Sequence, residues 1–467
     1  MMKHIVFLIL AILISYTGCS QNTSAIMDKP KVDERVELLS IVARLAEYQE
    51  YNKKDFILYT DKIEKHFSPY KNHEVIQFAK KIREERGVAY DAVMSMAVYL
   101  DEKFDARTEF TDIIPEQRWG KDNAYEFVRL LKDFYREAKC KEFFDDNKDL
   151  YKEASKRFLP IYEYIDLDWY STFYGEKPSE KFIIVNGLAN GGNNYGSSYK
   201  VPNQQKEVYA IMGAWTVDSL GMVVFNADNY FPILLHEFNH SFVNHLLEKN
   251  EGLFKESGEK IFDLVKNDMS KQAYANWTTI LNEALVRAAV IKYMKDHKFN
   301  SNIIENEIND QLNRSFLWIK ELVKELENYD KQRDTYPTLE SYIPKLAEAY
   351  KSYPELIQKI EDSRPKIVCI NEFNNGDTNV SSALKKITIN FDEPLLALGY
   401  SIYQGNKGQN AYPKFVKISY SEDKKSVILE VELKKNKEYQ FVLGGKEFKS
   451  PEGIAIRNYE VSFKTAE

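Results

Sequence analysis

Apolar residues in this chain recur at helical spacing over two long stretches and at strand spacing near the end. From Val32 to about Leu159 the pattern is helical. Leu38, Leu39, Ile41, Val42 and Leu45 follow the i, i+3, i+4 rule, and residues 89–100 and 124–134 repeat it. The Lys and Glu between them read as solvated faces. After Glu180 the character changes. Residues 181–185 predict a strand, residues 190–196 a loop rich in Gly and Asn, and residues 208–215 and 222–225 two further strands. The loop is no phosphate cradle, because no Gly-Lys-Ser/Thr follows it. After Lys292 the chain is helical again; residues 316–326 and 339–360 are clearly amphipathic, with Pro354 expected to interrupt the second helix. Ser363-Arg-Pro-Lys366 marks a boundary. Beyond it residues 386–391, 426–433, 438–443 and 459–463 largely alternate apolar and polar, the pattern of short strands in a β-sandwich.

One segment breaks the amphipathic rule. Ile233, Leu234, Leu235, Phe238, Phe242, Val243, Leu246 and Leu247 put apolar groups on nearly every side of a helix opened by Pro232. Inside it stands His236-Glu-Phe-Asn-His240, an H-E-x-x-H pattern. Residues four apart share a helix face, so His236 and His240 can aim two imidazoles at one cation. Glu237 lies about 100° round the helix, placed to take a proton from a water on that cation. Two histidines satisfied by ordinary core hydrogen bonds are the plain alternative. Buried polar groups are costly without partners, and Zn²⁺ supplies partners to all three.

A catalytic zinc site usually has a third protein ligand. His245 is nine positions after His236, on the opposite side of the helix. Val243 and Leu246 exclude the longer metzincin pattern, which has Gly and His there. Two later carboxylates compete. Glu259 sits among Glu256, Ser257, Gly258 and Lys260, which read as a solvated helix end. Glu283 lies among Ile280, Leu281, Ala284, Leu285, Ala288 and Ile291, where a carboxylate needs a cation. Arg287, one turn on, is that cation in the structural reading. Glu283 is the preferred ligand, with Arg287 orienting it. Tyr195, Tyr209 and Tyr274 are candidates for a second donor to a developing oxyanion.

His236-Glu237-x-x-His240 with a later Leu281-Asn282-Glu283-Ala284 resembles the gluzincin branch of the zincin metallopeptidases. That resemblance implies zinc held by His236, His240 and Glu283, with Glu237 as general base. Residues from about 35 to 360 also resemble a domain of unknown function found in Bacteroides-type lipoproteins, through Arg35-Val-Glu-Leu-Leu-Ser40 and residues 236–244. Residues 387–394 and 461–465 are similar to a bacterial immunoglobulin-like domain. The expected fold class is thus an α+β zincin-like metallopeptidase domain, mostly helical with a small mixed sheet, followed by an all-β immunoglobulin-like sandwich. In a zincin an edge strand can pair with an extended peptide, and residues 208–215 are the candidate for it.

The first residues set the compartment. Met1-Met-Lys-His4, an apolar run over residues 5–14 and Ser15-Tyr-Thr-Gly-Cys19 have the three-part layout of a secretory signal peptide. Gly18-Cys19 resembles a bacterial lipoprotein cleavage site, apart from Tyr16 where Leu is usual. The reading is a signal peptide at 1–18, a tether at 19–31 and a zincin-like domain at 32–363. That domain is helical to about 160, strand-rich at about 180–228, and carries its active-site helices at 232–292. A sandwich follows at 364–467. The protein is expected in the cell envelope, held to the membrane through a lipidated Cys19 only, or else secreted. Cys140 and Cys369 lack the close-set partners of a metal or redox motif.

At 467 residues, two or three domains are expected. The net charge of 64 − 71 = −7 gives no electrostatic case for nucleic acid. The function these features predict is an exported zinc peptidase acting on a peptide or protein. The alternatives are a non-catalytic binding lipoprotein on the same scaffold, for which 31 Tyr and 27 Phe offer aromatic surface, and a zinc hydrolase of non-peptide substrates.

Overall fold

The structure, a computed structural model, describes residues 26–272 and 274–467. The expected leader at 1–18 and Cys19 lie outside the described residues. The chain is α+β, mostly helical and then β-rich. It forms two compact units. One runs to Ser171 and resumes over Glu176–Val224; the other comprises Thr172–Gly175 and Phe225–Glu467. The boundary expected at 363 therefore does not separate the units. Arg457 pairs with Glu361 at 2.7 Å and Arg364 donates to the Ala455 carbonyl at 2.7 Å, joining chain on both sides of it.

The first unit opens with β1 (Ile26–Lys31), which takes up the end of the expected tether. Helices follow: α1 (Glu34–Leu45), α2 (Ile57–Phe67), α3 (Glu74–Arg86), α4 (Asp91–Val98), α5 (Lys121–Glu137), α6 (Cys140–Asp146), α7 (Lys148–Tyr162) and α8 (Leu167–Tyr174). Then come β2 (Lys181–Gly187), β3 (Tyr195–Tyr199) and β4 (Glu207–Gly213). The sheet order is β1-β2-β4-β3, with β3 alone antiparallel to its neighbour. The strand expected at the edge, β4, is central: it pairs with β2 on one side and β3 on the other. It has no free backbone edge for an added peptide. Its residues from Val208 to Gly213 are all buried, a continuous run rather than an alternation. Residues 222–225 form no strand; Val223 makes a single bridge to Val217.

The second unit begins with α9 (Ala227–Lys249), α10 (Glu251–Ser270), α11 (Trp277–Asp296), α12 (Ser301–Asn313), α13 (Ile319–Asp330), α14 (Leu339–Tyr350) and α15 (Tyr353–Asp362). Helix α9 starts five residues before Pro232, because the Asn226 side chain accepts from the Asp228 N–H at 2.9 Å and caps it. Pro354 opens α15 rather than interrupting a longer helix. Strands β5 (Ile367–Ile370), β6 (Lys386–Phe391), β7 (Ile402–Gln404), β8 (Lys414–Tyr420), β9 (Ser426–Glu432), β10 (Glu438–Leu443) and β11 (Tyr459–Lys464) make two antiparallel sheets, β5-β6-β9-β8 and β11-β10-β7. Ile387, Leu429 and Val431 from one sheet share a core with Phe441, Val461 and Phe463 from the other. No helix among the described residues is long and apolar enough to cross a membrane.

Candidate metal centre

Helix α9 is apolar on all sides because its neighbours cover it. Tyr230, Leu234, Leu235, Phe238, Val243 and Leu246 are all buried. A polar tie sets its rotation. Asn239, inside the H-E-x-x-H segment, is buried. Its amide donates to the Val286 carbonyl on α11 at 3.3 Å, and the Tyr174 hydroxyl donates to its Oδ1 at 3.2 Å. Tyr174 also stacks on Phe242, with ring centroids 4.6 Å apart. This fixes one face of α9 towards α11, while His236 and His240 converge with Glu283.

The donor atoms of the three side chains lie close together, within 4.8 Å of one another. The Nε2 atoms of His236 and His240 are 3.1 Å apart. Glu283 Oε2 is 3.6 Å from the first, and Oε1 is 3.5 Å from the second. Ligands about 2.0–2.2 Å from a tetrahedral ion stand about 3.3–3.6 Å from one another. Separations of this order leave the three residues able to share a small cation. The side chains are mostly covered, at 16% (His236), 27% (His240) and 13% (Glu283) exposure.

Each donor is held in a ligating form. His240 Nδ1 lies 3.2 Å from Asn244 Oδ1, and a proton there leaves Nε2 its lone pair. Burial, then the nearby Arg287 and Arg314 guanidiniums, hold the His236 imidazole well below its usual pKa and so neutral. Glu283 Oε2 accepts from Arg287 Nη2 at 2.8 Å and from the Tyr274 hydroxyl at 3.1 Å. Oε1 then faces His240, while Oε2 lies near His236 as well as Arg287 and Tyr274. Glu237 is half-buried, and its carboxyl is pushed up to about 7, by burial first and then by Glu283. His240 and Arg287 pull it back.

Glu259 is exposed on α10 and is not in the cluster, and neither is His245. Of the three tyrosines considered as donors, Tyr274 stands at the site. Tyr195 is on β3 and Tyr209 on β4, where its hydroxyl donates to Glu207 at 2.6 Å. Sequence reasoning did not single out Asn239, Gln311 or Glu307. A buried Asn between the two histidines of the pattern was a readable signal. Helix α12, which carries the other two, has too few apolar residues to announce itself.

These features define a mostly helical α+β protein with a His-His-Glu donor cluster in its second unit. Residues 30–349 match the family described as a domain of unknown function, DUF4932, and the chain belongs to that family. A search of curated proteins finds no match. Among solved structures, domains 1-6 of the surface layer protein SbsC share 12% identity at a TM-score of 0.17, covering 50% of this chain and 33% of that one. The S-layer protein rSbsC(31-844) gives 12% and 0.17 over 84% of this chain and 46% of that one. The chain thus spans less than half the length of either. The N-terminal part of SbsC gives the same identity and TM-score, over 84% and 79%. Likeness at that level carries no argument about fold or function.

Proposed function

We propose that this chain is a zinc-dependent hydrolase of peptide bonds, with His236, His240 and Glu283 as metal ligands and Glu237 as general base. The observation that carries the reading is the convergence of the His236 and His240 Nε2 atoms, 3.1 Å apart, on the Glu283 carboxylate, whose Oε2 is 3.6 Å from the first and Oε1 3.5 Å from the second. Two imidazoles and one carboxylate suit zinc, whereas calcium and magnesium select oxygen donors. Bound there, zinc supplies a Lewis acid that makes water nucleophilic near neutral pH. Glu237 takes the proton from the attacking water and passes it to the leaving amine. Its half-buried carboxyl stands one residue from His236, within reach of a water on the metal. Arg287 and Tyr274 hold the Glu283 carboxylate in place through the cycle.

The choice of peptide substrates rests on the gluzincin resemblance of residues 236–240 and 281–284. The same resemblance makes the helical part a zincin-like fold. The C-terminal sheets are proposed as an immunoglobulin-like spacer or binding module. Residues 1–19 make the protein an exported one, lipid-anchored at Cys19.

Metal analysis of purified protein and a Glu237→Ala variant test the reading against a peptide library. The expected result is one zinc per chain in both proteins, with cleavage about 10²–10⁴-fold slower in the variant. Wild-type protein without stoichiometric zinc, or equal cleavage by both, overturns it.

A further inference from the structure

Behind Glu283 the structure holds a chain of polar side chains that sequence reading passed over. Two i, i+4 pairs sit on facing helices, Glu283 with Arg287 on α11 and Glu307 with Gln311 on α12. One bond links them: Arg287 Nη1 donates to Gln311 Oε1 at 3.0 Å. Gln311 Nε2 in turn donates to Glu307 Oε1 at 2.6 Å. Arg287 Nη2 completes the run with its bond to Glu283 Oε2 at 2.8 Å. The guanidinium lies 5.0 Å from the Phe316 ring centroid.

The order of donors and acceptors leaves little freedom. Arg287 can only donate, and an ionised Glu307 can only accept. A side chain between them must accept on one side and donate on the other, which an amide does without changing protonation. Gln311 is 4% exposed. Helix α12 buries only Ile308 besides it. If Gln311 served only to pack α12 on α11, Leu would do so without a buried amide to satisfy.

From this arrangement we infer that Gln311 and Glu307 are positioning residues for the metal centre: through Arg287 they fix the Glu283 carboxylate and so set cation affinity. The inference rests on the zinc reading above. Outer hydrogen-bond partners of metal ligands are typically worth 10–100-fold in affinity.

The test uses full-length protein, stripped of metal and titrated with zinc against a chromophoric chelator. Cobalt(II) uptake is read by its visible ligand-field bands. Gln311→Leu is expected to weaken zinc binding about 10- to 100-fold and to shift the cobalt bands. Glu307→Ala should weaken zinc binding less, and Glu307→Gln, which keeps an acceptor for Gln311, should restore it. In an Arg287→Met background, Gln311→Leu should add nothing. Affinity within twofold of wild type in Gln311→Leu, an unshifted cobalt spectrum, or additive losses with Arg287→Met overturn the inference and leave the zinc site standing. Wild-type protein that takes up neither metal overturns the zinc reading, and the inference with it. Should Gln311→Leu fail to fold, the Glu307→Ala and Glu307→Gln pair decides on the same readouts.

Discussion

Glu283 has two functions in this structure, and truncating it separates them. As the proposed ligand it faces the two imidazoles. As an anion it neutralises Arg287, whose side chain is 10% exposed against 13% for Glu283. Glu283→Ala removes both functions and leaves a guanidinium buried without its counter-charge. Breaking a buried pair in this way costs about 3–5 kcal/mol. The lower figure is expected here, because the Tyr274 hydroxyl at 2.9 Å and the Gln311 carbonyl at 3.0 Å still accept from Arg287. The chain has two compact units, so a single unfolding transition is a poor measure. Hydrogen exchange of α11 amides in the presence of chelator reads the local loss instead. Protection there should fall about a hundredfold in Glu283→Ala, corresponding to about 3 kcal/mol. Glu283→Leu combined with Arg287→Met should recover most of it, since an apolar pair of similar volume needs no counter-charge. Both proteins should bind no zinc. Unchanged protection in the single variant, or a double variant as labile as the single one, refutes the account of a neutralised buried pair.

Three further outcomes are expected. Asn239→Leu leaves the Val286 carbonyl and the Tyr174 hydroxyl without their partner, costs about 1–3 kcal/mol in α9 and α11 protection, and also weakens zinc binding by freeing the rotation of α9. Gly258→Ala on α10 places a Cβ 2.4 Å from the Trp277 ring; overpacking of about 1–3 kcal/mol outweighs the roughly 1 kcal/mol gain in helix propensity, and exchange of α10 amides should quicken. Glu37 in α1 is fully buried, and burial pushes its carboxyl up to about 7 against 4.5, despite the Leu188 N–H donated to it at 2.7 Å. The folded first unit therefore binds this proton more tightly than the unfolded chain, so its stability falls as pH rises from about 4.5 through 7, by about 3 kcal/mol in all. Protection of α1 amides, corrected for intrinsic exchange at pH 5 and 8, should show this loss, and Glu37→Gln should abolish it.

The helical regions and the central strands of the C-terminal sheets were legible because their side chains meet a one-sided environment. Residues 386–391 and 438–443 alternate and became β6 and β10. Where an element is covered on both faces, or on neither, the period disappears. Residues Val36 to Leu45 of α1 are all buried, including Glu37 and Ser40. Buried β4 looked like any apolar strand and gave no sign that it was central. The missed strands β5, β7 and β8 are all at sheet edges, where exposure of Val368, Tyr403 and Val416 breaks the alternation. Helix α12 lies in the stretch after Lys292 that reads as helical, but it buries too little to show a stripe of its own.

The same asymmetry decided how much of the metal centre could be read. Spacing on one helix is a local property, so His236, Glu237 and His240 were visible without any tertiary knowledge. The third donor depends on which helix packs against α9, which spacing cannot supply. It could still be chosen, because a carboxylate in an apolar helix must be compensated and Glu259, on a solvated turn, need not be. Arg287 followed from its i, i+4 place beside Glu283. The argument stopped at Gln311 because the requirement passes from α11 to α12 through a guanidinium, and nothing in the order of residues says which helix receives it. A buried charge can thus be traced outward from sequence for one helical turn, and beyond that only the packing shows where its compensation ends.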